Sequence, residues 1–153
     1  MKYKAKASEE MKSMLAEFLA QPEDDQSLRE PEATYMVVRV REGLDFGEFH
    51  AFQEMLNISE ERLGGLLGMS RATLHRRKKS GQLDRSESDR LVRFARIFAR
   101  VCEVFGKREA AAKWLVEPAF AFQGECPLDY ADTEVGAREV EALIWRIENG
   151  IPT

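Results

Sequence analysis

Residues 59–79 read SEERLGGLLGMSRATLHRRKK, and this stretch decides the fold. Ser59 is placed to cap a short helix and Ser70 to cap a second one, because a side-chain oxygen there accepts from an otherwise unpaired N–H of the first turn. Two helices crossing steeply need a small residue where their backbones approach, which Gly64 provides. The turn between them needs a residue that tolerates positive φ, which Gly68 provides. Leu63, Leu67, Met69 and Leu74 are the apolar residues that pin the pair together. The pattern predicts a helix-turn-helix.

With Leu74 turned inward, the outer face of the second helix offers Arg71, Ala72, His75, Arg76 and Lys79. Such a helix lies in the major groove with its first turns against base edges. Arg71 and Arg76 suit bidentate bonding to guanine. Arg77, Lys78 and Lys79 suit phosphate, which positions a protein without reading sequence. The Ser70 cap also aims backbone N–H groups outward, where a phosphate sits well. His75, equally readable as an ordinary surface residue, and Thr73 complete the expected DNA-binding set: Ser70, Arg71, Thr73, His75, Arg76, Arg77, Lys78 and Lys79.

The charge distribution agrees. The chain of 153 residues has a formal net charge of −4, which by itself argues against nucleic acid. Residues 71–100, however, hold ten Lys or Arg against three Asp or Glu, a local +7 that leaves −11 for the remainder. That asymmetry describes one basic face on an acidic body. No apolar run approaches the roughly 20 residues that span a bilayer, and no apolar segment follows the basic start at Lys2, Lys4 and Lys6. Two cysteines, Cys102 and Cys126, are too few and too far apart for a disulfide scaffold. A cytoplasmic protein with reduced thiols is the expectation.

Working outward, Met11, Leu15, Phe18 and Leu19 stand at helical spacing in residues 8–20, and Gln21 to Glu32, with Pro22 and Pro31, reads as a linker. Tyr35 to Val40 is short and rich in β-branched residues, which reads as a strand that would pair with its copy in a dimer. Asp45 and Glu48 form a capping box, flanked by Leu44 and Phe49 as a hydrophobic staple. Ser86 and Asp89 form a second box, opening a long helix with Leu91, Phe94, Ile97, Phe98, Val101 and Phe105 on one face and Gly106 as its stop. A helix over 107–116 ends before Pro118. A last helix, capped by Asp132 or Thr133, carries Val140, Leu143, Ile144 and Ile147.

Enzyme signatures do not emerge. There is no glycine-rich phosphate loop, dinucleotide fingerprint or nucleophile elbow. His50 and His75 have no partners at metal-ligand spacing, since His50 and Glu54 supply only two ligands. Glu139 and Glu141 point to different faces of their helix, so no acid/base pair forms. The expectation is a binding protein without catalytic residues, metal or cofactor.

Several motifs resemble the MbcA/ParS/Xre antitoxins: Ser70 to Lys79, Ser86-Glu-Ser-Asp-Arg-Leu, Ala112-Lys-Trp-Leu, Pro127-Leu-Asp and above all GAREVEALIWRIENG at 136–150. The resemblance covers residues 34–153. It implies an Xre-like helix-turn-helix followed by a helical toxin-binding domain. It also implies a partner, a RES-domain toxin that degrades NAD or transfers ADP-ribose from it, whose active-site cleft the antitoxin covers while the complex represses its own operon. One departure is Glu117-Pro118, where the family often has Asn-Pro before a glycine-containing loop, followed here by Phe120-Ala-Phe122.

The expected architecture is all-α, with at most one short strand near residues 35–40. Residues 1–33 are assigned to an N-terminal helix and linker with a dimerisation role, 34–106 to the DNA-binding domain, and 107–153 to the toxin-binding domain. The toxin-binding set is Arg138, Glu141, Trp145, Glu148, Asn149, Gly150, Ile151, Pro152 and Thr153. Residues 117–153 carry eight acids against two arginines, which suits an electropositive toxin cleft that binds NAD phosphates. Removing residues from Asp132 onward is then expected to abolish toxin binding and to spare DNA binding. Operator DNA and a second copy of the chain are the other expected partners. The alternative is a stand-alone dimeric helix-turn-helix transcriptional repressor.

Overall fold

The computed structural model describes residues 29–153, with side chains from Tyr35 onward. The helix expected over residues 8–20 lies outside the described residues. In order, the elements are α1 (Arg29–Glu42), α2 (Phe46–Leu56), α3 (Glu60–Leu66), α4 (Arg71–Ser80), α5 (Arg85–Phe105), α6 (Arg108–Val116), a 3-10 turn (Phe120–Phe122), α7 (Pro127–Tyr130) and α8 (Glu134–Glu148). The fold is all-α, as expected from the sequence, with no sheet among the described residues.

The strand expected at 35–40 is helix, and so are the last four residues of the expected 21–32 linker. Pro31 sits in the first turn of α1, where the missing N–H would have had no intrahelical acceptor. The β-branched run misleads because burial here follows a period of 3.6, not 2. Met36 packs on the core, and Arg39 reaches Glu48 at 2.6 Å, while Tyr35, Val37 and Val38 face outward. Tertiary packing of one face overrides strand propensity. This segment therefore offers no strand to pair across a dimer.

The Asp45–Glu48 capping box forms as expected: Gly47 N–H donates to Asp45, and Asp45 N–H donates to Glu48. The second box lies two residues earlier than expected, at Asp84 and Glu87 rather than Ser86 and Asp89. The reason is long-range. Leu83 N–H donates to Leu44 O at 2.9 Å, Phe46 N–H to Gly81 O at 2.9 Å, and Leu44 N–H to the buried Ser88 hydroxyl at 2.9 Å. These bonds tie the start of α2 to the start of α5 and fix where α5 begins.

α5 is the central helix. Leu91, Phe94, Ile97, Phe98 and Val101 are all buried, and Phe98 meets Phe52 of α2 edge-on at 5.9 Å. α1, α6 and α8 pack around it. Buried residues from Leu44 to Ile144 form one continuous core, so the side chains on either side of Gly106 are not separate interiors. Three arginines of α5 meet three glutamates of α8: Arg93 to Glu134 at 3.3 Å, Arg96 to Glu141 at 3.1 Å, and Arg100 to Glu148. The pairs advance in the same direction along both helices, so α5 and α8 run parallel. Exposed pairs of this kind contribute only ~0–1 kcal/mol each, and their effect is mainly on register.

Gly68 adopts φ +82, as the turn requires. Gly64 is less demanding than its sequence context implies. A Cβ there would meet the Leu74 side chain at 3.5 Å, an ordinary contact. Gly64→Ala is expected to fold normally and to gain up to about 1 kcal/mol from helix propensity, measured by urea unfolding. A loss larger than about 1 kcal/mol would mean that the α3–α4 crossing does depend on glycine.

Candidate DNA- and partner-binding surfaces

The helix-turn-helix is α3, the turn through Gly68, and α4. Leu63, Leu67, Met69 and Leu74 are buried, and Met69 N–H donates to Gly64 O at 2.8 Å across the turn. Ser70 caps α4: its Oγ accepts from Thr73 N–H at 3.1 Å and donates to the Thr73 hydroxyl at 3.0 Å.

The expected DNA-binding residues divide into two groups. Arg71, His75, Arg76 and Lys79 are exposed, and among the described residues they make no ion pair or side-chain hydrogen bond. Nothing within the described fold therefore competes for the two arginines or Lys79. Arg77 is different. Its Nε donates to Glu87 at 2.8 Å and its Nη2 to Asp84 at 3.0 Å. Glu87 is buried, and its hydrogen bond holds the guanidinium pKa above its ordinary value. Arg77 thus clamps the capping box of α5, and unlike Arg71 and Arg76 its guanidinium is engaged within the fold. Lys78 takes an intermediate course, donating to Glu60 at 2.8 Å while staying exposed. That bond holds the Glu60 carboxyl below its ordinary pKa.

A parallel device stands close by, at the start of α2. Arg39 binds the fully buried Glu48, the acidic member of the α2 capping box. Both capping boxes are therefore closed by an arginine from another helix.

The expected toxin-binding residues lie along α8 and the tail. Arg138 pairs only with Glu134 on its own helix, among the described residues, and is exposed. Glu141 and Glu148 belong to the ladder with α5, so they are less available than a free acidic face would be. Trp145 is 53% exposed and stands outside the buried stripe of Val140, Leu143 and Ile144. Asn149 ends the helix and donates from its side chain to Trp145 O at 2.8 Å. Gly150 follows with φ +65, and Ile151, Pro152 and Thr153 are exposed. Thr133, rather than Asp132, caps α8. The cysteines are free thiols. Burial raises Cys102 to about 11, which leaves it protonated and unreactive.

Sequence reasoning missed Phe120 as a surface feature. In the sequence Phe120 and Phe122 stand only as a pair. The structure buries Phe122, stacked on Tyr130 at 4.5 Å, and leaves Phe120 98% exposed. Two aromatic residues two apart in an irregular segment carry no periodic signal that would tell the inner from the outer.

No described helix is long and apolar enough to cross a membrane.

Two family models match the chain. The antitoxin Xre-like helix-turn-helix domain matches residues 36–96, and the antitoxin Xre/MbcA/ParS C-terminal toxin-binding domain matches residues 101–150. Proteins named antitoxin Xre are similar to parts of it. The one from Photorhabdus laumondii is 38% identical over 72 residues, 46% of this chain and 49% of that protein. The one from Yersinia enterocolitica is 34% identical over 83 residues, 54% and 56% respectively. The one from Pseudomonas putida is 39% identical over 64 residues, 42% and 40% respectively. The chain spans about half the length of the curated relatives it matches.

Proposed function

The chain belongs to the Xre/MbcA/ParS antitoxin family, and from that premise we propose that it is the antitoxin of a toxin–antitoxin pair. In this reading it holds a RES-domain toxin, one that degrades NAD or transfers ADP-ribose from it, by covering the active-site cleft. It also binds the operator of its own genes as a cytoplasmic dimer, acting by binding and not by catalysis. The observation that carries the DNA half is the outer face of α4, where Arg71, Arg76 and Lys79 are exposed without a partner among the described residues. The toxin half is supported by the family's toxin-binding match and by Trp145, Ile151 and the tail, which are exposed apolar or unpaired groups at one end of α8.

The test is a two-gene plasmid expressing this chain with the product of the adjoining reading frame. Copurification of the pair, with NAD consumption by the partner arrested in the complex, is the expected result. A neighbour that neither binds the chain nor harms cells would favour a stand-alone repressor.

The α4 face makes a separate prediction, measured on the DNA upstream of the gene. Arg76→Ala is expected to cost about 1–3 kcal/mol of binding and to relax base preference, as loss of a bidentate contact to guanine does. Lys79→Ala is expected to weaken all sequences alike and to reduce the salt slope by about one unit. Neither side chain is engaged within the described fold, so both variants should melt as the parent does. Equal DNA affinity for parent and both variants across a salt series would remove α4 as the reading element.

A further inference from the structure

The loop between α6 and α7 spends its hydrogen bonds on holding one shape. Phe122 N–H and Gly124 N–H both donate to Ala119 O, at 3.1 and 3.0 Å. Ala119 N–H donates to Glu125 O, Gln123 N–H to Phe120 O, and Glu125 N–H to Phe122 O, each at 3.0 Å. Gln123 and Gly124 take positive φ, at 56 and 90, to close it. Cys126 Sγ donates to Val116 O at 3.1 Å and ties the end of the loop back to the end of α6. The buried, stacked Phe122 anchors the loop from inside.

The result of this construction is a large apolar side chain in water. Phe120, at 98% exposed, is the most exposed of the described large apolar residues. A floppy loop with an exposed Phe would imply nothing. A loop this internally bonded has already lost the entropy that ordering on binding would otherwise cost, which is the condition under which an aromatic anchor contributes most. Exposed Glu117 and Glu125 flank it in sequence, and Glu117 pairs with Lys113 at 3.7 Å.

We propose that Phe120 is the aromatic anchor of the toxin interface, entering an apolar socket on the toxin. This rests on the antitoxin reading above, because the loop lies inside the segment that matches the family's toxin-binding domain. Phe120 then adds a contact point separate from the tail of α8.

The experiment uses the full chain and the purified product of the adjoining reading frame, with affinity measured by titration calorimetry. Phe120→Ala is expected to weaken the complex about 30-fold, the scale of an interface hot spot. Phe120→Leu, which keeps an apolar side chain there, is expected to lose much less. Melting temperature and DNA affinity should not change in either variant. If the parent binds the partner and Phe120→Ala binds equally well, the anchor is wrong and the antitoxin reading stands. If the parent does not bind the partner, the antitoxin reading falls and the anchor with it. If Phe120→Ala instead lowers the mass of the free chain in light scattering and leaves partner affinity intact, Phe120 serves self-association and the proposal is overturned.

Discussion

A chain ending at Ala131 is expected not to fold, and to lose DNA binding together with toxin binding. The sequence alone suggests the opposite, since the DNA-reading motif ends about fifty residues before that point. The packing decides against it. α8 buries Val140, Leu143 and Ile144 against the core, with Ala137 filling the approach. Losing three such side chains removes ~5–9 kcal/mol at about 1.5–3 kcal/mol each. That is comparable with the ~5–15 kcal/mol by which a whole domain is stable. The loss also uncovers the face of α5 that packs against α8, within the one core that continues to Leu63, Leu67 and Leu74 of the helix-turn-helix. A chain ending at Asn149 removes only exposed residues and should melt almost as the parent does. Circular dichroism melts and DNA titration of the two truncations check this. A cooperative melt and parent-like DNA binding by the shorter chain would establish two independent modules and refute the shared core.

Arg77→Ala is expected to destabilise the protein by about 3 kcal/mol, whereas its neighbour Arg76→Ala should leave stability within about 0.5 kcal/mol. The two residues are adjacent and chemically identical, yet their environments differ. Arg77 holds the carboxylates of Asp84 and Glu87, the latter buried, and removing it leaves a buried charge without its cation. Arg76 is exposed and unengaged among the described residues. Urea unfolding gives the stability difference directly. The DNA titrations then separate the roles: Arg77→Ala should lose affinity only as far as it unfolds, and Arg76→Ala should lose it while folded. A variant at Arg77 with parent stability and weakened, salt-dependent DNA binding would return that residue to the phosphate contacts.

Local chemistry determined a good deal. The caps at Asp45, Ser59 and Ser70, the stop at Gly106, and the apolar face of α5 were all legible, because each depends on residues within a turn or two. The helix-turn-helix was legible for the same reason. Three features were not. α1 replaced the expected strand because its burial is set by α5, more than forty residues away. The cap of α5 moved to Asp84 because Leu44 N–H donates to the Ser88 hydroxyl and Leu83 N–H to Leu44 O across a similar distance. Arg77 is held by carboxylates that arrive from the start of the next helix, an engagement no local pattern shows. In sequence Arg76 and Arg77 both read as DNA contacts, and Phe120 and Phe122 are nearly indistinguishable. Which of each pair points inward is fixed by what the rest of the chain brings up to meet it. A residue's type limits the contacts it can make, but burial and charge pairing are properties of a place, and only the packed chain creates the place.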